Sequence, residues 1–401
     1  MEYVVSNVPK LRFSEFGGEW EEKILGKISD VRDGTHDSPK YYDSGYPLIT
    51  SKNLLANGMI DFQNVNLILE EDYININKRS KVNIGDILFG MIGTIGNPVI
   101  VKQEGFAIKN VALIKEQKIL LNKFLIHYLK SSFVEKQFYK QNTGGTQKFI
   151  ALGIIREMII NLPCFEEQIK IANFLSSIDK KIEQLTQKQS LLQQYKKGVM
   201  QKLFSQEIRF KDGNGKEFPE WEEKKLGDVG DIITGKTPST SDESLWDGNI
   251  QFVTPTDISD EKYQYKTLRT VTNHSKLKIL PAGSIMFTCI ASIGKMSLST
   301  QPCITNQQIN SIVPNNKHNN EYIYYAVLSI SDFIKSTQAN TTLPIINKTE
   351  FSKFEILVPD IDEQTKIANF LSSIDKKIEL ISEEIDKAKE FKKGLLQQMF
   401  V

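Results

Sequence analysis

The sequence predicts an α+β protein in which two structurally similar mixed α/β domains are joined and separated by two long antiparallel coiled-coil helices. Three observations support this fold: one segment occurs twice without change, weaker matches extend the duplication along the chain, and both copies have coiled-coil spacing. The predicted domains cover residues 1–165 and 206–361. The predicted helices cover residues 166–205 and 362–401, so that the chain forms a pseudo-twofold internal repeat.

The duplicated segment, KIANFLSSIDKKIE, occupies Lys170 to Glu183 and again Lys366 to Glu379. The same spacing carries Glu167-Gln168 onto Glu363-Gln364. Weaker matches pair the beginnings of the two halves, where LRF and IRF are each followed by Trp-Glu-Glu-Lys. Similar scaffolds are therefore expected in both halves, with different surfaces where the side chains diverge.

The duplicated segments predict helices because their apolar residues alternate at spacings of four and three. The first copy has Ile171, Leu175, Ile178, Ile182, Leu185, Leu192, Val199 and Leu203 in this pattern. The second copy has Ile367, Leu371, Ile374, Ile378, Ile381, Ile385, Ala388, Leu395 and Met399. Each helix should be about 57 Å long, with Lys196 and Lys392 at polar positions that fix the register.

Several positions expected to face solvent are also identical in the two copies, although packing alone would leave them free to diverge. They are predicted to bind equivalent partners and comprise Asn173, Ser176, Ser177, Asp179, Lys180, Asn369, Ser372, Ser373, Asp375 and Lys376. The alternative interpretation is that the helices serve only dimerisation or packing against their own domains.

The two domains mix β-rich runs with helical stretches. Strands are predicted at Tyr46 to Thr50, Val82 to Ile92, Gln251 to Val253 and Ser284 to Ile290, and helices at Asn122 to Lys140 and Glu321 to Lys335. Polar loops between them offer donors and acceptors that suit base edges and phosphates. The candidate DNA-binding residues are Thr35, His36, Ser51, Lys52, Asn53, Thr143, Thr146, Lys148, Lys236, Thr237, Ser239, Thr240, Thr254, Thr256, Asp257, Asn340, Thr341 and Thr342. Taken singly, each loop is better explained as a solvated turn, and only the paired positions in a duplicated scaffold favour DNA binding.

Composition limits the other classes of function. The net charge of +1, from 50 basic and 49 acidic residues, argues against DNA binding unless basic residues cluster or partners share the phosphate contacts. Three cysteines without CxxC spacing and four scattered histidines predict neither a disulfide framework nor a metal site. No apolar run approaches the length of a membrane span, and a cytoplasmic protein is expected.

Enzyme motifs are present only as fragments. Gly230 to Thr237 reads GDIITGKT and matches a phosphate-binding loop, but Pro238 and a Ser/Thr-rich stretch follow where a helix should begin. Asn97-Pro98 is not followed by the Pro-aromatic pair of an adenine methyltransferase, and no partnered acidic residues indicate a metal-dependent nuclease. The sequence therefore predicts no catalysis by this chain.

Over nearly its whole length the chain resembles the specificity subunit of type I restriction-modification systems. The resemblance rests on Pro163 and Pro359 before the repeats, the repeats themselves, Gly235-Lys236-Thr237-Pro238 with Trp246, and Ser292-Ile293-Gly294-Lys295 with Asn306-Gln307. The first domain departs from it, with Gly34-Thr35-His36 and Asn110-Val111 at the corresponding places, so its loop correspondence is open.

The resemblance implies that each domain is a target-recognition domain for one half of a split double-stranded DNA target, read in the major groove. It also implies that the helices fix the gap, that two methyltransferase subunits bind along them, and that restriction-translocase subunits then join. S-adenosylmethionine, ATP and Mg²⁺ would belong to those partner subunits, so that this chain needs no cofactor. Two alternatives remain from the residues: a coiled-coil adaptor that does not bind DNA, and a P-loop enzyme.

Overall fold

The structure is a computed structural model that describes residues 7–141, 149–259, 261–273, 277–338 and 344–401. The chain divides into two compact units, one formed by residues 1–186 with 383–401 and the other by residues 187–382. Both units are mixed α/β. Within the described ranges, we find no helix with the length and apolar character needed to cross a membrane.

The first half of the chain has two small sheets and a strand pair, followed by a long helix whose residues after 186 belong to the second unit. Its elements are β1 (Glu21–Ile24), α1 (Leu25–Ile28), β2 (Val31–Asp33), β3 (Tyr46–Ile49), β4 (Asn66–Ile68), α2 (Glu70–Ser80), β5 (Ile87–Gly90), β6 (Gly96–Ile100), β7 (Ala107–Ile108), β8 (Val111–Ile114), α3 (Asn122–Tyr128), α4 (Ser132–Gln141), α5 (Leu152–Arg156), β9 (Ile159–Leu162) and α6 (Phe165–Phe204). The strand orders are β2-β8-β5-β6, β4-β3-β7 and β1-β9. The β3–β7 pair is parallel, and the other pairs are antiparallel.

The second unit repeats this topology. Its elements are β10 (Glu222–Lys225), α7 (Leu226–Val229), β11 (Gly230–Thr234), β12 (Trp246–Val253), β13 (Tyr263–Gln264), β14 (Arg269–Val271), β15 (Ile285–Thr288), β16 (Met296–Ser299), β17 (Cys303–Thr305), β18 (Ile309–Pro314), α8 (Asn320–Ser329), α9 (Ser331–Ser336), α10 (Lys348–Phe351), β19 (Glu355–Val358) and α11 (Ile361–Gln398). The strand orders are β11-β18-β15-β16-β13, β14-β12-β17 and β10-β19. Apart from the added β13, each sheet has its counterpart in the first unit, so the duplication extends to the fold.

Most predicted elements are present, but the helix expected at Glu321 to Lys335 is divided into α8 and α9, and two further differences lie in the first unit. The helix expected at Asn122 to Lys140 is divided into α3 and α4, because the amides of Lys130 and Ser131 bond to carbonyls three residues back and tighten the last turn of α3. The strand expected from Val82 contains only β5. A turn precedes it, in which the Asp86 carboxylate accepts a hydrogen bond from the amide of Asn83.

The core of the first unit contains parts of both long helices. Ile171 and Leu175 of α6 are buried in it, and so is Phe400, just beyond the end of α11. The Phe400 ring lies 6.3 Å from Trp20, 5.6 Å from Phe124 and 5.4 Å from Tyr128 between ring centroids. The last residues of the chain therefore help to complete the core of its first domain.

The core of the second unit is built in the corresponding way. Ile367 and Leu371 of α11 are buried there. Phe204, which occupies the position of Phe400 in the other repeat, lies 6.3 Å from Trp221 and 5.9 Å from Tyr322. In each unit, the beginning of one long helix and the end of the other close the same core.

Buried ion pairs explain the glutamates that the two repeats share. Glu167 and Glu363 have fully buried side chains, and they are paired with Arg12 at 2.7 Å and Arg209 at 2.8 Å. A buried carboxylate requires such a partner, because its desolvation is otherwise uncompensated. The match between LRF and IRF thus preserves the arginine that balances each glutamate.

The packing of Phe400 leads to a first prediction. Phe400→Ala should lower the free energy of unfolding of the first unit by about 3–5 kcal/mol, because it leaves a cavity among three aromatic rings. Phe391→Ala is a matched control, since Phe391 lies on the same helix with 57% of its surface exposed; its effect should stay within about 0.5 kcal/mol. Urea unfolding followed by tryptophan fluorescence measures both, and equal losses would contradict the proposed packing.

Candidate nucleic-acid interface

In the first unit, three loops converge on Asn110, between β7 and β8. The Nδ1 atom of His36, in the loop after β2, lies 2.7 Å from the side-chain oxygen of Asn110. Ser51, after β3, donates a hydrogen bond of 3.1 Å to the backbone carbonyl of Asn110. The predicted loop of Thr35 and His36 is therefore brought together with the predicted turn at Ser51.

The equivalent loop in the second unit has the same backbone path. A Cβ atom on Gly34 would lie 2.1 Å from the carbonyl oxygen of Ile108, and one on Gly235 would lie 2.2 Å from that of Asn306. Only glycine permits so close an approach of two chain segments. Gly34-Thr35-His36 thus corresponds to Gly235-Lys236-Thr237, which answers the question of loop correspondence.

Backbone hydrogen bonds bring the loops of the second unit together. Lys236 donates to the carbonyl of Thr305 at 2.8 Å, and Asn306 donates to that of Val253 at 3.1 Å. The Thr237 hydroxyl donates to the side-chain oxygen of Gln307 at 2.6 Å, as His36 contacts Asn110 in the first unit. The candidate residues at 236–240 and 254–257 consequently belong to one surface.

The turns after β3 and β12 are held by equivalent hydrogen bonds. The amide and hydroxyl of Thr50 donate to the Asn53 side chain, and those of Thr254 donate in the same way to Asp257. Ser51 and Asn53 are only 3% and 5% exposed, which disfavours direct contact with DNA and indicates that they position the turn. Lys52 and Thr256 are exposed at its tip, where a ligand can reach them.

The remaining candidate DNA-binding residues fall into two sets, one in the loop after β11 and one outside the described residues. Ser239 and Thr240 are exposed, and the carbonyl of Ser239 accepts a hydrogen bond from the Trp246 indole at 3.0 Å. Thr143, Thr146, Lys148, Asn340, Thr341 and Thr342 lie outside the described residues. Of the residues that follow them, Phe149 forms a β-bridge with Ile92, and Ile345 forms one with Ile290.

The geometry contradicts a P-loop at Gly230 to Thr237. The first five residues form strand β11, and the amides of Gly235 and Lys236 donate to the carbonyls of Ile309 and Thr305. These amides are therefore not available to hold a phosphate, and no helix begins at Thr237. Within the part of the chain that the structure describes, no cluster of His, Cys, Asp and Glu has the arrangement of a metal site.

Sequence reasoning missed four side chains beside the candidate loops. Asn110 and Gln307 are only places of resemblance in the sequence, and their contacts with His36 and Thr237 depend on tertiary packing. Asp33 and Arg79 form an ion pair next to His36. Arg79 comes from the last turn of α2, and its distance in sequence from the loop concealed it.

His36 has electrostatic surroundings that favour its charged form. Hydrogen bonds to Asn110 and to Asp33, the latter 2.8 Å from Nε2, raise the pKa of His36 above its ordinary value. Both ring nitrogens face oxygen acceptors, an arrangement that the doubly protonated ring satisfies. Burial lowers the pKa of His127 to about 3, so the pKa values of the two histidines of this unit are shifted in opposite directions.

The predicted partner-binding positions fall into two groups. Asn173, Ser177, Lys180, Asn369, Ser373 and Lys376 are exposed, and so is Ser176. Ser372, Asp179 and Asp375 are half-buried and bonded within their own units, which corrects the expectation that they face solvent. Asp179 pairs with Lys392 in the first unit, and Asp375 pairs with Lys196 at 2.5 Å in the second.

Both halves of the chain match the same family of known proteins. The family model described as "Type I restriction modification DNA specificity domain" matches residues 17–194 and again residues 219–390. The MjaIX specificity subunit of Methanocaldococcus jannaschii is 34% identical over 44% of this chain and 43% of its own length. The putative MjaX specificity subunit of the same organism is 26% identical over 98% of this chain and 96% of its own.

Solved structures agree in fold. A type I S subunit from M. genitalium has a TM-score of 0.62 at 17% identity, covering 98% of this chain and 99% of that one. A chain from a type I R-M system has a TM-score of 0.59 at 18% identity, covering 94% and 96%. Since the family model matches both halves, the chain belongs to the type I restriction-modification DNA specificity family, whose members are non-catalytic specificity subunits without a cofactor of their own.

Proposed function

We propose that this chain recognises a bipartite double-stranded DNA target and holds methyltransferase and restriction-translocase subunits on it. The observation that carries the proposal is the pair of equivalent loop surfaces, one in each unit, built on the same backbone path but with different side chains. His36 and Asn110 in one correspond to Thr237 and Gln307 in the other. Two such surfaces suit two different half-sites, because base edges are distinguished by their donors and acceptors.

The candidate loops supply the DNA contacts in this proposal. Lys52, Lys236, Thr256, Ser239 and Thr240 are exposed on them and can reach phosphates or base edges. The candidates outside the described residues, from Thr143 to Lys148 and from Asn340 to Thr342, belong to the same proposal. The net charge of +1 is compatible with DNA binding if partner subunits share the phosphate contacts.

The long helices set the distance between the half-sites in this proposal. The two lysines at the polar heptad positions each pair with an aspartate of the other repeat, Lys392 with Asp179 and Lys196 with Asp375. Within each unit, the later residues of one helix thus meet the earlier residues of the other, as an antiparallel coiled coil requires. Such a pair would act as a spacer of fixed length.

Two methyltransferase subunits would dock on the helices, one on each repeat. The exposed identical residues, among them Asn173 and Asn369, support equivalent docking sites. Tyr195 and Phe391 add to this, since they occupy equivalent positions and are 53% and 57% exposed. Exposed aromatic residues are typical of protein interfaces. S-adenosylmethionine, ATP and Mg²⁺ would be bound by the partner subunits.

The proposal predicts salt-sensitive and sequence-dependent DNA binding by the assembled complex in a gel shift. If Lys236 contacts a phosphate, Lys236→Ala should weaken that binding several-fold. It should also reduce the slope of log affinity against log salt concentration by about one. Lys353→Ala, which removes an exposed lysine outside the candidate loops, should have little effect.

Two results would contradict the proposal. A complex that assembles but does not retain DNA would favour the coiled-coil adaptor. Isothermal titration calorimetry that found ATP binding to the isolated chain, lost in Lys236→Ala, would favour the P-loop enzyme.

The spacer can be tested separately. Inserting one heptad into each helix, after residues 186 and 382 where the chain passes between units, adds about 10 Å, or about three base-pair steps. Mapping of methylated sites should then show a wider gap and unchanged half-sites. Altered half-sites with an unchanged gap would show that the helices do not set the spacing.

A further inference from the structure

The first unit has a charged network beside its candidate loops. The Asp33 side chain, only 6% exposed, pairs with Arg79 through Oδ1 and with His36 through Oδ2. Arg79 and His36 remain 64% and 56% exposed. A buried carboxylate thus holds an arginine and a histidine whose outer surfaces face solvent, and both of its oxygens are occupied.

Arg79 also lines a cleft of about 390 Å³ between the loop after β2 and helix α2. Thr35 and Ser38 line its loop side, and Asn75 lines its helix side. The guanidinium has five N–H donors in a rigid fork, and the ion pair engages only the Nη2 group. An ion pair with a buried carboxylate fixes the orientation of the guanidinium. Two of its parallel N–H groups are then held ready to bind a ligand with two acceptor atoms in one plane.

Among the residues that the structure describes, the second unit has no equivalent of this network. The residue equivalent to Asp33 is Thr234, whose hydroxyl donates to the Asn310 side chain, and the residue equivalent to His36 is Thr237. Between β14 and β15, where α2 would be expected, the described residues 272–273 and 277–284 form no helix. The arrangement is therefore a difference between the two otherwise matching scaffolds.

We propose that Arg79, braced by Asp33, is a specificity-determining residue that reads a guanine in the half-site bound by the first unit, with His36 as an adjoining cationic contact. The proposal rests on the DNA-binding function proposed above. Guanine is the base that fits, because its O6 and N7 acceptors match two parallel N–H donors of arginine. Asp33 is a positioning residue that does not itself touch DNA.

The test is modified-base sequencing of DNA methylated by the full complex. Arg79→Gln should replace one guanine of one half-site by mixed bases, leave the other half-site and the gap unchanged, and weaken binding to the original target about 5- to 100-fold. Arg79→Lys keeps a charge beside Asp33 but loses the fork, so it should relax the same position. Lys78→Gln removes a charge from the neighbouring exposed position of α2 and should leave the motif unchanged.

The outcomes separate the two proposals. An unchanged motif in both Arg79 variants would overturn the role of Arg79 while leaving the bipartite function intact. A wild-type complex that methylates no bipartite motif would overturn the proposed function and this inference with it. Loss of all methylation in Arg79→Gln, with a relaxed guanine in Arg79→Lys, would still support the inference.

A second prediction concerns the charge of His36. The groups that face it are Asp33 on its own segment, Asn110 from the β7–β8 turn and Arg79 from α2. Because the folded-state pKa is raised, the bound proton stabilises this geometry below the ordinary pKa, and the contribution is lost as the pH rises through the raised value. DNA affinity of the complex should therefore fall as the pH rises above the ordinary histidine pKa of about 6.5 and through the raised value.

Fluorescence anisotropy at constant ionic strength measures this dependence. His36→Thr, which installs the residue of the second unit, should remove the part of the pH dependence that belongs to this chain, whereas Thr237→Ala should retain it. Burial lowers the pKa of His127 and of His318, so neither should mask the result. Identical pH profiles for wild type and His36→Thr would overturn the role of His36.

Discussion

The structure depends on how the two long helices enter the cores of the two units. Phe400 completes the aromatic cluster of the first unit, and Phe204 does the same in the second. Each core contains the beginning of one helix and the end of the other, and the first unit cannot be closed without residues 383–401 from the far end of the sequence. Each long helix is therefore constrained by packing at both of its ends.

The ion pairs add specificity to this packing. Arg12 with Glu167 and Arg209 with Glu363 are buried pairs, which contribute little net stability but are costly to break singly. The lysine–aspartate pairs along the helices connect one repeat to the other in both units. A helix shifted by one turn would separate these charges, so the pairs favour one register over the others.

Much of this arrangement could be predicted from the sequence, because duplication and heptad spacing are local patterns. The helices followed from these patterns, the α+β domains from β-rich runs and helical stretches, and the family resemblance from the repeats together with the loop motifs. What the sequence could not show was contact between distant segments. The partial burial of Ser372 and Asp375, the pairing of Asp33 with Arg79, and the burial of Ser51 and Asn53 all depend on tertiary packing.

Close packing also explains how the two units can carry different side chains on loops of the same backbone path. Glycines at 34 and 235 hold the loops in one backbone path, since a side chain there would collide with the facing carbonyl. With the path constrained, exchange of neighbouring side chains changes chemistry without changing fold: Asp33 and His36 in one unit stand where Thr234 and Thr237 stand in the other. The backbone path that the two units share and the loop side chains in which they differ both follow from this close contact between chain segments.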